Sequence, residues 1–255
     1  MKVVIMAGGK GTRISSVASD IPKPMIKIEG KPVLEHEIEC LRDQGFKDII
    51  LTVSHLGNII MDYFGDGSGI SPVTGNSFGV NIEYYFEKEP LGNAGALFKI
   101  KDKLTEDFLL LNADAMFDVD FNRFVEFHKF HGGMVTLFTH PNSHPYDSGL
   151  IIADENGTVQ KWLAKEDERP TYYKNRVNAG LHVISPELLK QKIDTPKIDL
   201  DRQLLKPLSG TGKMFCYDSP EYVKDMGTPD RYYAVCEDFK AGHVQGKNLK
   251  NKQKA

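Results

Sequence analysis

At 255 residues, 40% hydrophobic and 26% charged, the chain has an ordinary globular composition, long enough for one large α/β domain or two small ones. A formal net charge of −3, from 32 basic and 35 acidic residues, excludes a basic field over the whole surface, and with it nucleic acid or membrane as expected partner. No charged leader with an apolar stretch opens the chain and no apolar run approaches a membrane span, so a cytoplasmic protein is expected.

Lys2 to Met6, apolar and rich in β-branched residues, reads as a buried strand, and glycines begin where it should end, at Gly8, Gly9 and Gly11. Without side chains, backbone amides there can face phosphate oxygens, and a concave run of amides binds anions. Arg13 and Lys23 add the charge that a triphosphate under attack at its α-phosphate requires. Commoner glycine loops fail on spacing. The phosphate loop Gly-x-x-x-x-Gly-Lys-Ser/Thr is absent, and in the dinucleotide fingerprint read from Gly9 the third glycine is Ile14.

Leu34, Ile38 and Leu41 recur at helical steps, Gly45 stands where a left-handed terminator is expected, and Asp48 to Val53 reads as a second strand. Strand, helix, strand implies parallel pairing. Asn58 to Phe64 is a short helix, and Gly65 to Gly79, rich in turn residues, reads as an excursion free to move. The strand Ile82 to Phe86 then feeds Glu87-Lys88-Glu89-Pro90-Leu91-Gly92-Asn93-Ala94-Gly95. Glu87 is the candidate reader of a base: a carboxylate suits the neighbouring N1-H and N2 amine of guanine and is repelled by N3 of cytosine. Glu83 and Glu89 are equally near in sequence.

Phe108 to Leu111 is an apolar strand running into Asn112-Ala113-Asp114, which puts a carboxylate where open α/β sheets hold ligands. Asp118 and Asp120 follow, Asp120 as a cap for the amphipathic helix Phe121 to Phe130. After the strand Met134 to Thr139, His140 and His144 stand in a turn whose two prolines deny them a common helical face, so they are not read as metal ligands. Asn156-Gly157 between Ile151–Ala153 and Val159–Leu163 signals a hairpin. Ser185 caps a helix, Ile198 to Leu205 is another, and Met214 to Tyr217 is a strand. Thr228 and Pro229 open the last helix, Asp230 to Lys240. The three cysteines, Cys40, Cys216 and Cys236, are widely spaced and odd in number, which argues for buried free thiols over disulfides or zinc.

Gly8-Gly9-Lys10-Gly11-Thr12-Arg13 followed by Pro22-Lys23-Pro24 resembles the signature of the sugar-1-phosphate nucleotidyltransferases, and the intervening Ile14 to Ile21 is closest to their D-glycero-D-manno-heptose-1-phosphate guanylyltransferase branch. The resemblance extends to about Asp238 through Glu87 to Gly95, Asn112-Ala113-Asp114, Gly149, Lys165, Val177-Asn178-Ala179-Gly180 and Asp225-Met226-Gly227-Thr228-Pro229. It departs at Asn93 for a usual Thr, at Ala113 for Gly, and at Ala164 for a Glu, which puts one sugar contact in doubt unless Glu166 or Asp167 substitutes.

This resemblance implies a Rossmann-like, three-layer α/β fold with a mostly parallel sheet and a small β-hairpin sugar-binding subregion, as one domain over 1–240 followed by a polar basic tail, 241–255. It implies transfer of a nucleotidyl group from an NTP, GTP by the Glu87 argument, to heptose 1-phosphate for cell-surface polysaccharide. Ala7, Gly8, Gly9, Gly11, Thr12, Glu87 and Gly92 would hold the nucleotide, and Gly149, Lys165 and Asn178 the sugar phosphate. Asp114 and Asp225 would hold Mg2+, with Arg13, Lys23 and Asp114 as the catalytic set. A homo-oligomer and a phosphatase domain following the tail also belong to the pattern. A uridylyl-, thymidylyl- or cytidylyltransferase for a hexose or aminosugar phosphate, or a catalytically silent sugar-nucleotide binder, are the alternatives.

Overall fold

A computed structural model describes residues 1–9, 14, 20–142 and 148–244. The chain enters through β1 (Val3–Met6), passes a 3₁₀ turn at Lys23–Met25 and the ribbon β2 (Lys27–Ile28) and β3 (Lys31–Pro32), and continues into α1 (Val33–Asp43). β4 (Asp48–Val53), α2 (Gly57–Phe64), β5 (Asn81–Phe86) and the short α3 (Gly95–Lys99) follow, then β6 (Phe108–Asn112), β7 (Ala115–Asp118), α4 (Phe121–His131) and β8 (Val135–His140). Last come β9 (Leu150–Ala153), β10 (Val159–Leu163), β11 (Val177–Ile184), helical turns at Pro186–Lys190 and Leu200–Leu205, β12 (Met214–Asp218), β13 (Tyr222–Asp225) and α5 (Pro229–Lys240).

The centre of the sheet is parallel, in the order β6, β1, β4, β5. β11 closes it antiparallel to β6 and also pairs with β8 and with the β9–β10 hairpin, while β12 adds in parallel to β8. Because successive strand side chains face opposite sides, Val3 and Ile5 of β1 join one core while Val4 joins the other. The first core takes Leu34, Ile38 and Leu41 of α1, Ile60 and Phe64 of α2, and Phe121 and Phe124 of α4. The second takes Leu97 of α3 and Leu188, Leu200 and Leu204 of the later helical turns. Two apolar faces covered by helices make the three layers.

Local signals hold at most boundaries. Gly45 is left-handed at φ +91° behind α1, the Asp120 side chain accepts from the Arg123 amide, and Thr228 caps α5 by accepting from Arg231. The 65–79 excursion is seated rather than loose: Phe78 is buried, Arg42 donates to the Ser77 carbonyl at 3.0 Å, and Phe78 N bonds Gly69 O. The expected helix at 198–205 is shorter, a wide turn at Leu200–Leu205 capped by Asp199, and Pro186–Lys190 is 3₁₀. Four strands go beyond the sequence reading, the β2–β3 ribbon and the pair β7 and β13. β7 and β13 pair antiparallel, setting Asp225 opposite Ala115, and four-residue strands have too little alternation to announce themselves.

Candidate active site

The parallel strands β1, β4, β5 and β6 end side by side, and the residues that follow them line one cavity of about 1000 Å³. Ala7, Gly8 and Gly9 come from β1, Ser54 and His55 from β4, Glu87 from β5, and Ala113 and Asp114 from β6; Lys23 and Gly92 complete the lining. Adjacent parallel strands leave such a crevice outside their carboxyl ends. Residues far apart in sequence thereby meet. Gly11, Thr12 and Arg13 lie outside the described residues, as do His144 and the tail from 245.

Gly8 stands against Glu87: a Cβ on Gly8 would sit 3.0 Å from Glu87 Oε1 and 3.4 Å from Ser54 Oγ, and Ser54 Oγ donates to Gly8 O at 2.5 Å. Burial pushes the Glu87 carboxyl up, opposed by the Leu91 amide, which donates to Oε2 at 3.3 Å. The three neighbouring glutamates are now distinguishable. Glu83 is held by Lys103 and Lys2, Glu89 is exposed, and Glu87 alone of the three lines the cavity.

Gly92 lines the cavity too, but the close approach it permits is by the protein's own chain. At φ +79°, its added Cβ would fall 2.3 Å from Ile198 O, and one on Gly95 would fall 2.8 Å from Pro196 O. Ala94 N and Ile198 O bond at 3.1 Å, and Asn93 Oδ1 accepts from Leu200 N at 2.7 Å, so the 91–95 loop is laced to the 196–200 segment.

Lys23 Nζ, with its side chain only 10% exposed, donates to Asp114 Oδ2 at 2.5 Å. The antiparallel β7–β13 pair and the bond from Met226 N to Asp114 O bring Asp225 beside them. Partial desolvation pushes the Asp225 carboxyl up, but the Gly227 amide and the Arg231 guanidinium, at 2.9 and 3.0 Å from its two oxygens, outweigh that and hold it below its ordinary value. Among the described residues no cluster of three or more His, Cys, Asp or Glu has metal-binding geometry. Two carboxylates suit a hard cation that takes its remaining oxygens from substrate phosphates and water, the usual manner of magnesium.

Beneath this pair lies Glu37, on the apolar stripe of α1, 1% exposed and with neither oxygen in a hydrogen bond of good geometry. Burial, then the charge of Asp114, pushes its carboxyl well above the ordinary value, with Ala115 and Lys23 opposing. A charge three residues after Leu34 on a core-facing stripe was the sequence signal for it.

A second cavity, of about 260 Å³, adjoins the first and shares Asn93 and Asn112 with it. Gly149 and Asn178 line it, as do Trp162, His182 and Asp201, which the sequence reading did not select. Its shape depends on Gly180, at φ +76°, where a Cβ would fall 2.4 Å from Asn112 Nδ2 and where the β11 register shifts against β8. Lys165 is exposed and lines neither cavity. Its neighbour Asp167 accepts from the Ala164 amide at 2.8 Å and faces Lys206, which closes the 164–167 turn on itself.

Cys40 and Cys216 are free thiols that burial pushes up to about 12 and about 11; Cys236 is also free. No described helix is long and apolar enough to cross a membrane.

Comparison with known proteins places this arrangement. The chain is 30% identical to mannose-1-phosphate guanyltransferase beta-B of Xenopus laevis over 90% of its own length, and 29% identical to the mannose-1-phosphate guanylyltransferase catalytic subunit beta of Xenopus tropicalis over 90%. It spans 62% of the length of each. Among solved structures it matches HddC from Yersinia pseudotuberculosis with TM-score 0.76 and 28% identity, over 93% of this chain and 99% of that one. HddC complexed with GMP-PN matches with TM-score 0.75, at 27% identity and the same coverage. The family model described as nucleotidyl transferase covers residues 2–241, and the chain belongs to that family, its named relatives being sugar-1-phosphate nucleotidyltransferases.

Proposed function

We propose that this protein joins a sugar 1-phosphate to GTP, with release of pyrophosphate, and that the sugar is a heptose. The observation that carries the reading is the meeting of two cavities at Asn93 and Asn112, the larger holding the Lys23–Asp114 pair. Such an arrangement lets a nucleotide and a sugar phosphate lie end to end, so that a phosphate oxygen of the sugar attacks the α-phosphate in line and pyrophosphate departs. No covalent enzyme intermediate is needed, and catalysis is placement together with neutralisation of charge.

Lys23, nearly buried, offers its ammonium to the attacked phosphate and its incoming partner; in a site with little water such a cation acts strongly. Arg13 is assigned the leaving pyrophosphate. The amides of Gly8 and Gly9 border the triphosphate, and the Glu87 carboxylate accepts from N1-H and the N2 amine of guanine. Asp114 and Asp225 are the residues that would hold magnesium, which when bound offsets negative charge on phosphate oxygens. Gly149 and Asn178 serve the sugar, and Lys165 would have to move to reach the phosphate.

Support for guanine comes from Glu87 and from the guanine nucleotide named with HddC. A second reading, mannose 1-phosphate as acceptor, is favoured by the names of the curated relatives. The test is pyrophosphate release with magnesium across the four common NTPs and dTTP against a panel of sugar 1-phosphates, including D-glycero-D-manno-heptose 1-phosphate and mannose 1-phosphate. Release with GTP and the heptose is expected. Release with mannose alone keeps the reaction and changes the sugar, and no release despite nucleotide binding leaves a silent relative.

A further inference from the structure

His182 stands on β11 with 1% of its surface exposed, and neither ring nitrogen has a hydrogen-bond partner of good geometry. Both facts are unusual together. A buried imidazole is ordinarily tied firmly by at least one nitrogen, and an apolar side chain would fill that position without stranding a polar atom. Burial lowers its pKa to about 4, opposed by a backbone hydrogen bond to Leu110, so at neutral pH the ring is uncharged and keeps one nitrogen as an acceptor. Its residue lines the smaller cavity.

From another element the same cavity receives Asp201, on the Leu200–Leu205 turn. The neighbouring Asp199 is spent on its own helix, accepting from the Arg202 amide at 2.8 Å. Burial, with the like charge of Asp199 adding to it, moves the Asp201 pKa up to about 6. The turn that carries Asp201 is fixed by the bond from Leu200 N to Asn93 Oδ1, and Asn93 lines both cavities. Asp201 is thus held in register with the nucleotide site.

We propose that His182 and Asp201 read the hydroxyl groups of the sugar and are the residues that decide which sugar phosphate this protein accepts. The proposal rests on the transfer reading above and deepens it. A sugar hydroxyl is donor and acceptor at once, so it can meet a neutral imidazole nitrogen in either tautomer. A carboxylate only accepts, so Asp201 takes protons from one hydroxyl or from a neighbouring pair. Their ligand is a neutral polyol ring with its hydroxyls intact. A deoxy analogue leaves one of these buried groups without a partner, which is the circumstance in which a site discriminates most strongly.

The test uses the full chain with the nucleotide and sugar phosphate that support pyrophosphate release, comparing wild type with His182→Gln, His182→Phe and Asp201→Asn. Expected are a rise of tenfold or more in the sugar-phosphate KM, a change under threefold in the nucleotide KM, and collapse of the preference for the intact sugar over its monodeoxy analogues. Asp201→Asn, a change of charge alone on a partly exposed turn, keeps the test available where a His182 variant fails to fold, and nucleotide binding by calorimetry certifies each variant. An unchanged sugar KM with an unchanged deoxy preference overturns the proposal. Should the wild type turn over no pair, the transfer reading fails. Calorimetric binding of the same sugar phosphates then decides this one: weaker binding by Asp201→Asn and His182→Gln supports it, and equal binding, or none by the wild type, overturns it.

Discussion

Lys23 Nζ donates to Asp114 Oδ2 at 2.5 Å, joining a 3₁₀ turn near the start of the chain to the end of β6 across 91 positions of sequence. The pair sits above Glu37, whose carboxyl burial pushes well above its ordinary value, and Lys23 is the ammonium at that wall. Lys23→Ala is therefore expected to lower kcat by about 10²–10³, the usual worth of one preorganised charge-stabilising donor. Pyrophosphate release under saturating substrates measures it, with circular dichroism confirming an unchanged fold. Turnover near that of the wild type would take Lys23 out of the mechanism.

Asp114→Asn and Asp225→Asn remove one carboxylate each from the pair proposed to hold magnesium. Each is expected to raise the magnesium concentration for half-maximal rate by about tenfold or more. The effects should be comparable, because each carboxylate is already paired with a cation, Asp114 with Lys23 and Asp225 with Arg231. A magnesium titration of the rate at fixed nucleotide checks both, and curves superimposable on the wild type would remove these carboxylates from metal binding.

Glu87 faces Gly8 from the end of β5, and the role proposed for it in reading guanine makes a prediction about base analogues. ITP lacks the 2-amino group. The wild type should prefer GTP over ITP in kcat/KM, and Glu87→Gln should shrink that preference by about ten- to hundredfold, the worth of one hydrogen bond to a charged group, ~1.5–3 kcal/mol. An undiminished preference in the variant would assign base reading to another residue.

Gly92→Ala tests the lacing of the 91–95 loop. The new Cβ would lie 2.3 Å from a backbone oxygen, that of Ile198, at a φ of +79° that alanine disfavours. A loss of about 2–4 kcal/mol is expected, from backbone strain plus the displaced segment. Urea unfolding measures it. A variant as stable as the wild type would mean the 196–200 segment yields freely.

Acid stability follows from the buried histidines. Burial lowers the pKa of His36 to about 4, with Lys31 adding to it, and that of His182 likewise to about 4. Both values lie below the ordinary 6.5, so over pH 4 to 6.5 the unfolded chain binds more protons; the stability these groups contribute is complete above 6.5 and is lost as pH falls toward 4. For His182 the full loss is at most about 3 kcal/mol. Asp201 and Glu37, both raised, titrate in the opposite sense and soften the slope. Unfolding free energies between pH 7 and 4 should fall, and fall less steeply for His36→Gln; parallel slopes would mean His36 is charged in the folded state.

Much of the frame was legible in the residues. The runs at 2–6, 48–53, 82–86 and 108–111 are strands within one or two positions, and Asp120 and Thr228 are caps, because capping and alternation are local interactions between near neighbours. The motif residues Gly8, Gly9, Lys23, Glu87, Gly92 and Asp114 line one cavity, since each follows a strand of one parallel sheet or packs beside it. Lys165 is where local reading gave out. Its distance from the cavities depends on a turn closed by Asp167 and Ala164, a matter of three-dimensional geometry.

The longer strands and helices, their caps, and the glycine-rich entry with its cationic partners were legible in the residues, because those are written in periodicity and short-range hydrogen bonding. Tertiary structure alone decided which of three glutamates meets Gly8, that Lys23 pairs with Asp114, that β7 and β13 bring Asp225 alongside, and that His182 and Asp201 line one cavity. The reason is that each of these is a contact between distant segments, fixed by sheet order and register, and none leaves a periodic trace in the chain.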